Sequence, residues 1–193
     1  MSYRVFAPLV ALLIVVVSAP VHALPITFTA TLSGDQEAPP VTTAASGMAT
    51  LTLNDAQTRL EILVRLSGLD LDGSQTLDPN DDVVAMHIHA APPLTNGGVV
   101  FGLMGPNNDL NGDLAIDPIA GTVFSAWDLL EGNNTTLSDQ LSALLQGKLY
   151  LNFHTLRKPA GEVRGQIVTV PEPGSLLLLG LGLLGLVVAR RRR

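Results

Sequence analysis

Three histidines in the body of the chain, His87, His89 and His154, are the side chains whose type and spacing could do chemistry. His87 and His89 stand two apart in Val83-Val84-Ala85-Met86-His87-Ile88-His89. In a strand, successive side chains point to opposite faces, so both imidazoles would share one face with Ile88 on the other. With a third imidazole from a distant strand, such a pair suits copper or zinc: neutral imidazole binds both, and three nitrogens leave one coordination position open. The same side chains could instead bond backbone or carboxylate groups and stitch a sheet together, and residue type alone leaves both readings open.

Other polar residues offer less. Glu162 and Arg164 would share a strand face, as would Asn152 and His154, and a buried Arg164 paired with a carboxylate would fix the fold. No nucleophile stands beside a base at a recognisable spacing, so the chain reads as a non-enzyme with no catalytic residues. Asn107-x-Asp109-x-Asn111-Gly112 resembles the start of a calcium loop, but Pro118 falls where the closing glutamate belongs. That stretch and Asp70-x-Asp72-Gly73 therefore read as solvated turns. The absence of cysteine excludes disulfides, thiolate sites and cysteine nucleophiles.

The elements that must position these groups are short and alternating. Ile26 to Leu32, Gly47 to Leu53 and Thr58 to Leu66 read as strands. The last two form a hairpin through Asn54-Asp55-Ala56-Gln57, with Leu60, Ile62, Val64 and Leu66 facing inward. Two prolines confine Asp35 to Val41 to a surface loop or an edge. The histidine strand follows a Gly- and Asp-rich loop from Ser67 to Asp82. Val99 to Met104 and Thr122 to Trp127 are further strands, and Gly105 to Pro118 reads as irregular. Ser138 is the expected N-cap of a helix over Asp139 to Gln146 that stops at Gly147. Lys148 to His154 and Glu162 to Thr169 close the set, joined by a turn at Lys158 to Gly161. The expected fold is mainly β: an antiparallel sandwich or Greek-key barrel-like domain with one short helix.

Both ends of the chain are apolar and read as targeting segments. Residues 1–23 have the layout of a secretory signal peptide: Arg4, an apolar run from Val5 to Val17, and the exit Val21-His22-Ala23. From Leu24 to Val170, six basic residues face sixteen acidic ones, a formal charge of −10. That balance disfavours nucleic acid, which needs a positive surface to release counterions. At the other end Pro171-Glu172-Pro173-Gly174 leads into an apolar span, 175–189, and then Arg190, Arg191, Arg192 and Arg193. An arginine block there places the C-terminus in the cytoplasm and the domain outside.

This tail resembles the PEP-CTERM sorting signal in its Pro-Glu-Pro tripeptide, Gly/Leu-rich span and terminal arginines. The resemblance implies a Gram-negative bacterium, the secretion machinery and an exosortase as partners, and at least transient membrane contact through the C-terminal hydrophobic helix. The middle resembles the CHRD domain in three separated segments. These are Leu32-Ser33-Gly34-Asp35-Gln36-Glu37-Ala38-Pro39-Pro40-Val41, then Met86-His87-Ile88-His89 with Asn96-Gly97-Gly98-Val99-Val100, and finally Leu149 to Ile167. Ala90-Ala91-Pro92-Pro93 departs from the family pattern, and Asp70 to Asp82 looks like an insertion. All three histidines fall in the matching segments. There is also a loose likeness to copper/zinc superoxide dismutases, though the second-site histidines and aspartate of that enzyme are missing.

The expected organisation is a signal peptide over 1–23, a CHRD domain over 24–169 and a sorting signal over 170–193. The expected route runs through an inner-membrane intermediate to the periplasm, cell surface or extracellular matrix. There the domain would be a binding or structural module for a matrix polysaccharide or surface protein. The alternative is a copper or zinc protein, even a redox metalloenzyme with a dismutase-like site, with His87, His89 and His154 as ligands.

Overall fold

The computed structural model describes residues 24–171, together with 180–183 and 190. The expected signal peptide and most of the apolar tail lie outside the described residues, as do Glu172, Pro173, Arg191, Arg192 and Arg193. Among the described residues no helix is long and apolar enough to cross a membrane.

Alternating apolar runs become ten strands: β1 (Ile26–Ser33), β2 (Ser46–Leu53), β3 (Arg59–Ser67), β4 (Val83–Ala90), β5 (Gly98–Met104), β6 (Ala115–Asp117), β7 (Thr122–Asp128), β8 (Leu149–Thr155), β9 (Val163–Gln166) and β10 (Val168–Thr169). One helix, α1 (Leu137–Leu145), lies between β7 and β8. The strands form one antiparallel sheet in the order β5-β4-β8-β9-β1-β2-β3-β7-β6, with β10 on β1, curled into a half-barrel. Its concave face buries Phe28, Leu51, Ile62, Phe101, Trp127, Leu151 and Phe153. Leu60, Ile62, Val64 and Leu66 all turn inward, as their alternation requires.

The expected strand over Glu162 to Thr169 is divided at Ile167 into β9, which pairs with β8 on one side and β1 on the other, and β10, which continues on β1 in the same register. Between them Ile167 is buried and its N–H donates to Leu149 O at 2.9 Å. β6 lies inside the segment expected to be irregular. It has only three residues, too few for an alternation to register.

The helix starts two residues earlier than expected. Thr136, not Ser138, is its N-cap: the Thr136 hydroxyl accepts from the Asp139 N–H while the Asp139 carboxylate accepts from the Thr136 N–H. This reciprocal pair satisfies two otherwise unpaired donors, which a cap at Ser138 would forgo. Leu137 and Leu144 are buried, whereas Leu145 is exposed.

In the acidic loop before β4, residues 72–80 are exposed, as solvated turns require, but Asp70 is not. Asp70 is fully buried, and its carboxylate accepts backbone N–H bonds from Asp72, Gly73, Ser74, Gln75 and Thr76. Its own N–H donates to Asp81 O and its carbonyl accepts from Val83 N, so the loop closes on itself and sets the first residue of β4. Burial alone would raise the Asp70 pKa; the N–H groups of Thr76, Gln75, Asp72 and Gly73 outweigh it and hold the carboxyl below its ordinary value. Asp109 plays a similar part, accepting from Asn111, Gly112 and Leu114.

Asp70→Asn is therefore expected to lower the melting temperature by about 5 °C or more, since the new amide must turn a donor toward some of those N–H groups. The sign in pH follows from the depressed folded pKa. The Asp70 contribution is complete above the unfolded carboxyl value and is lost as pH falls through the folded one. Thermal melts at neutral and strongly acidic pH check this: a difference between the two proteins that survives full protonation would contradict it.

Candidate metal centre

The register of β4, β8 and β9 sets the site. His87 is opposite Asn152, which is opposite Arg164; His89 is opposite Tyr150, which is opposite Gln166; and Ala85 is opposite His154. One face of these strands carries Ile88, Leu149, Leu151, Phe153 and Val163 into the core. The other carries His87, His89, Tyr150, Asn152, His154 and Arg164, which are all polar and all buried. A face that alternation assigns to water is thus roofed by loops.

Arg164 holds the roof down. Its Nη1 donates to Thr95 O at 2.9 Å and its Nη2 to Pro92 O at 3.0 Å, while the guanidinium lies 3.5 Å from the centre of the Tyr150 ring. Arg164 makes no ion pair with a carboxylate among the described residues. Glu162 is held instead by two hydroxyls, Thr43 Oγ1 at 2.6 Å and Thr155 Oγ1 at 2.5 Å. The loop fastened by Arg164 brings the Gly97 N–H to the Tyr150 hydroxyl at 3.2 Å. His89 stacks on the same Tyr150 ring at 4.9 Å. Gly97 must be glycine here, because a Cβ would come within 2.0 Å of Ala90 O.

Each imidazole has one nitrogen engaged by a backbone carbonyl. His87 Nε2 is 2.9 Å from Gly105 O, His89 Nδ1 is 2.9 Å from Gly97 O and His154 Nδ1 is 3.1 Å from Pro159 O. A carbonyl can only accept, so these three nitrogens carry the hydrogens; the tautomers are assigned by that logic. The remaining nitrogens, His87 Nδ1, His89 Nε2 and His154 Nε2, carry lone pairs. One ring nitrogen from each histidine lies within 4.8 Å of the other two. His87 Nδ1 and His154 Nε2 are only 3.1 Å apart, and His89 Nε2 is buried without a partner.

Two facing lone pairs repel unless a proton or a cation stands between them. Burial works against the proton: it lowers all three histidine pKa values, His89 to about 4, and the neighbouring imidazoles lower His89 and His154 further. Two nitrogens bound at about 2.0–2.1 Å to a tetrahedral ion stand about 3.3 Å apart, close to the His87–His154 separation. Carbonyl-oriented imidazoles of fixed tautomer are also the usual outer arrangement around a bound metal.

The sequence-predicted ligands thus come together. Glu37, Tyr150 and Arg164 also join the polar layer, although the sequence marked none of them as part of a site. The available signal was the alternation Tyr150, Asn152, His154 against Leu149, Leu151, Phe153, which reads as an ordinary solvent face. Among the described residues, four buried side-chain atoms lack a partner; His89 Nε2, Asn152 Oδ1 and Glu37 Oε1 belong to this region, and only Ser125 Oγ does not.

Comparison with known proteins gives two family matches. The model of the CHRD domain matches residues 28–167, and that of the PEP-CTERM protein-sorting motif matches residues 169–193. No curated protein and no solved structure matches the chain.

Proposed function

This chain belongs to the CHRD domain family, and on that premise we propose that it is an exported metal-binding module in which His87, His89 and His154 hold one copper or zinc ion. The observation that carries the reading is that three buried imidazoles, each held through one nitrogen by a backbone carbonyl, bring one ring nitrogen apiece within 4.8 Å of the other two. The sorting motif fits an exported protein handled by an exosortase in a Gram-negative bacterium. On this reading residues 1–23 direct export, 24–169 form the working domain and 170–193 address it. The domain then acts in the periplasm, at the cell surface or in the matrix, against a polysaccharide or a surface protein.

The ion would be held by three neutral ligands with a fourth position open. In the metal-binding layer, the backbone carbonyls of Gly97, Gly105 and Pro159 orient the rings, and Arg164 and Tyr150 fix the loop that supplies the first of them.

One experiment addresses both halves of the proposal. The full chain is expressed in an exosortase-bearing host, the cells are fractionated, and the recovered protein is equilibrated with copper or zinc and assayed for metal. The expected result is protein outside the cytoplasm carrying one equivalent. Retention in the cytoplasm would overturn the export half, and less than about a tenth of an equivalent would overturn the metal half.

A further inference from the structure

The loops that roof the polar layer leave a cleft of about 200 Å³ beside it, between the segment from Glu37 to Val41 and the turn from Arg157 to Gly161. Two of its polar walls are already engaged: Asn96 Nδ2 donates to Ala38 O at 2.6 Å, and Arg157 pairs with Asp78 at 2.6 Å. Lys158 makes no ion pair among the described residues. Glu37 is 4% exposed, and its Oε1 has no hydrogen-bond partner. Asn152 Oδ1, at the edge of the imidazole layer, is likewise buried and unpartnered. Gly161 lets Glu37 and Asn152 close in: at φ 129° and without a Cβ, it leaves space that the added atom would occupy 2.6 Å from Glu37 Oε1 and 2.8 Å from Asn152 Oδ1.

We propose that this cleft binds a small carboxylate, with Lys158 supplying the countercharge and the Glu37 carboxyl group, in its neutral form, supplying a hydrogen bond. The proposal goes beyond the metal reading and needs no ion at the histidines. A cleft of this size takes a ligand of a few heavy atoms, and a free ammonium on its rim in an otherwise acidic domain selects an anion. A proton on Glu37 turns a buried acceptor into a donor available to an anion in the cleft that Glu37 lines.

Burial raises the Glu37 pKa to about 7, more than the Arg164 guanidinium and the Asn152 amide pull it down, so the neutral form is populated near neutrality. The other charged or titratable groups around it are Lys158 and Arg157 on the cleft wall, Glu162 next to Gly161, and His87 and His154 on either side of Asn152 in the sheet. A bound carboxylate favours the proton on Glu37, so binding takes up a proton and strengthens as pH falls through 7.

The test uses sodium acetate, with sodium chloride as control, added to the metal-free full chain labelled at its backbone amides and followed by NMR. Saturable shifts at Lys158, Ala160 and Gly161 are expected, about tenfold tighter at pH 6 than at pH 8. Lys158→Gln, a surface change, should weaken binding about tenfold or more. Glu37→Gln should still bind acetate but lose the pH dependence. Shifts that match the chloride control, binding unchanged in Lys158→Gln, or a pH dependence retained in Glu37→Gln would each overturn the proposal. Because no metal is present, none of these outcomes bears on the histidine centre.

Discussion

His154→Phe is expected to weaken copper(II) or zinc(II) binding by at least about 100-fold, the upper end of what changes to outer-shell partners alone produce. The same substitution should move the metal-free melting temperature by no more than about 3 °C. Two terms oppose each other in the metal-free protein. Phenylalanine forfeits the bond from His154 Nδ1 to Pro159 O, but it removes the 3.1 Å contact between the lone pairs of His87 and His154. Each is on the order of 1 kcal/mol. In the metal-bound protein nothing offsets the loss: at a metal concentration of about 100 times the dissociation constant the wild-type chain gains about 2.7 kcal/mol. Calorimetric titration and paired melts with and without metal measure both quantities. A purely sheet-stitching role predicts the reverse, a large metal-free loss and no metal effect, and that pattern would sink the metal reading.

The second large effect belongs to Arg164. Arg164→Ala is expected to destabilise the protein by about 4 kcal/mol, because it removes charge-assisted bonds worth about 1.5–3 kcal/mol each, together with packing on Tyr150. For a chain of this size that is a fall in melting temperature of about 10 °C. Arg164→Lys should recover no more than half of it. The two guanidinium nitrogens reach Thr95 O and Pro92 O at once, whereas an ammonium is a single point charge without the planar fork. The loop from Pro92 to Gly97 carries the carbonyl that orients His89, so metal affinity should fall along with stability. A loss below about 1 kcal/mol in the alanine variant would show that the loop is held by something else.

The raised pKa of Glu37 and the lowered pKa values of the three histidines share a cause. Loops cover one face of a β-sheet that carries polar side chains, and low exposure disfavours every charge placed there. Arg164 is the exception that keeps its charge, because three acceptors and an aromatic face surround the guanidinium.

Much of this protein was legible in its residues. Leu60, Ile62, Val64 and Leu66 declared an inward face, Gly147 a helix stop, and the Pro-Glu-Pro tripeptide with its apolar span and arginines a sorting tail. Period-two alternation also put His87 and His89 on one face, since a strand has no other way to direct its side chains. What alternation cannot report is whether a polar face meets water or a second layer of chain. Only the tertiary structure laid the loops bearing Gly97, Gly105 and Pro159 over that face and gave each ring N–H a carbonyl. Only the pairing of β4 with β8 brought His154 beside His87, across 67 positions of sequence. The residues could thus name three histidines as candidate ligands. Their tautomers, their depressed basicity and the convergence of their lone pairs depend on contacts between segments far apart in the chain, and those exist only once the sheet has curled and its loops have closed.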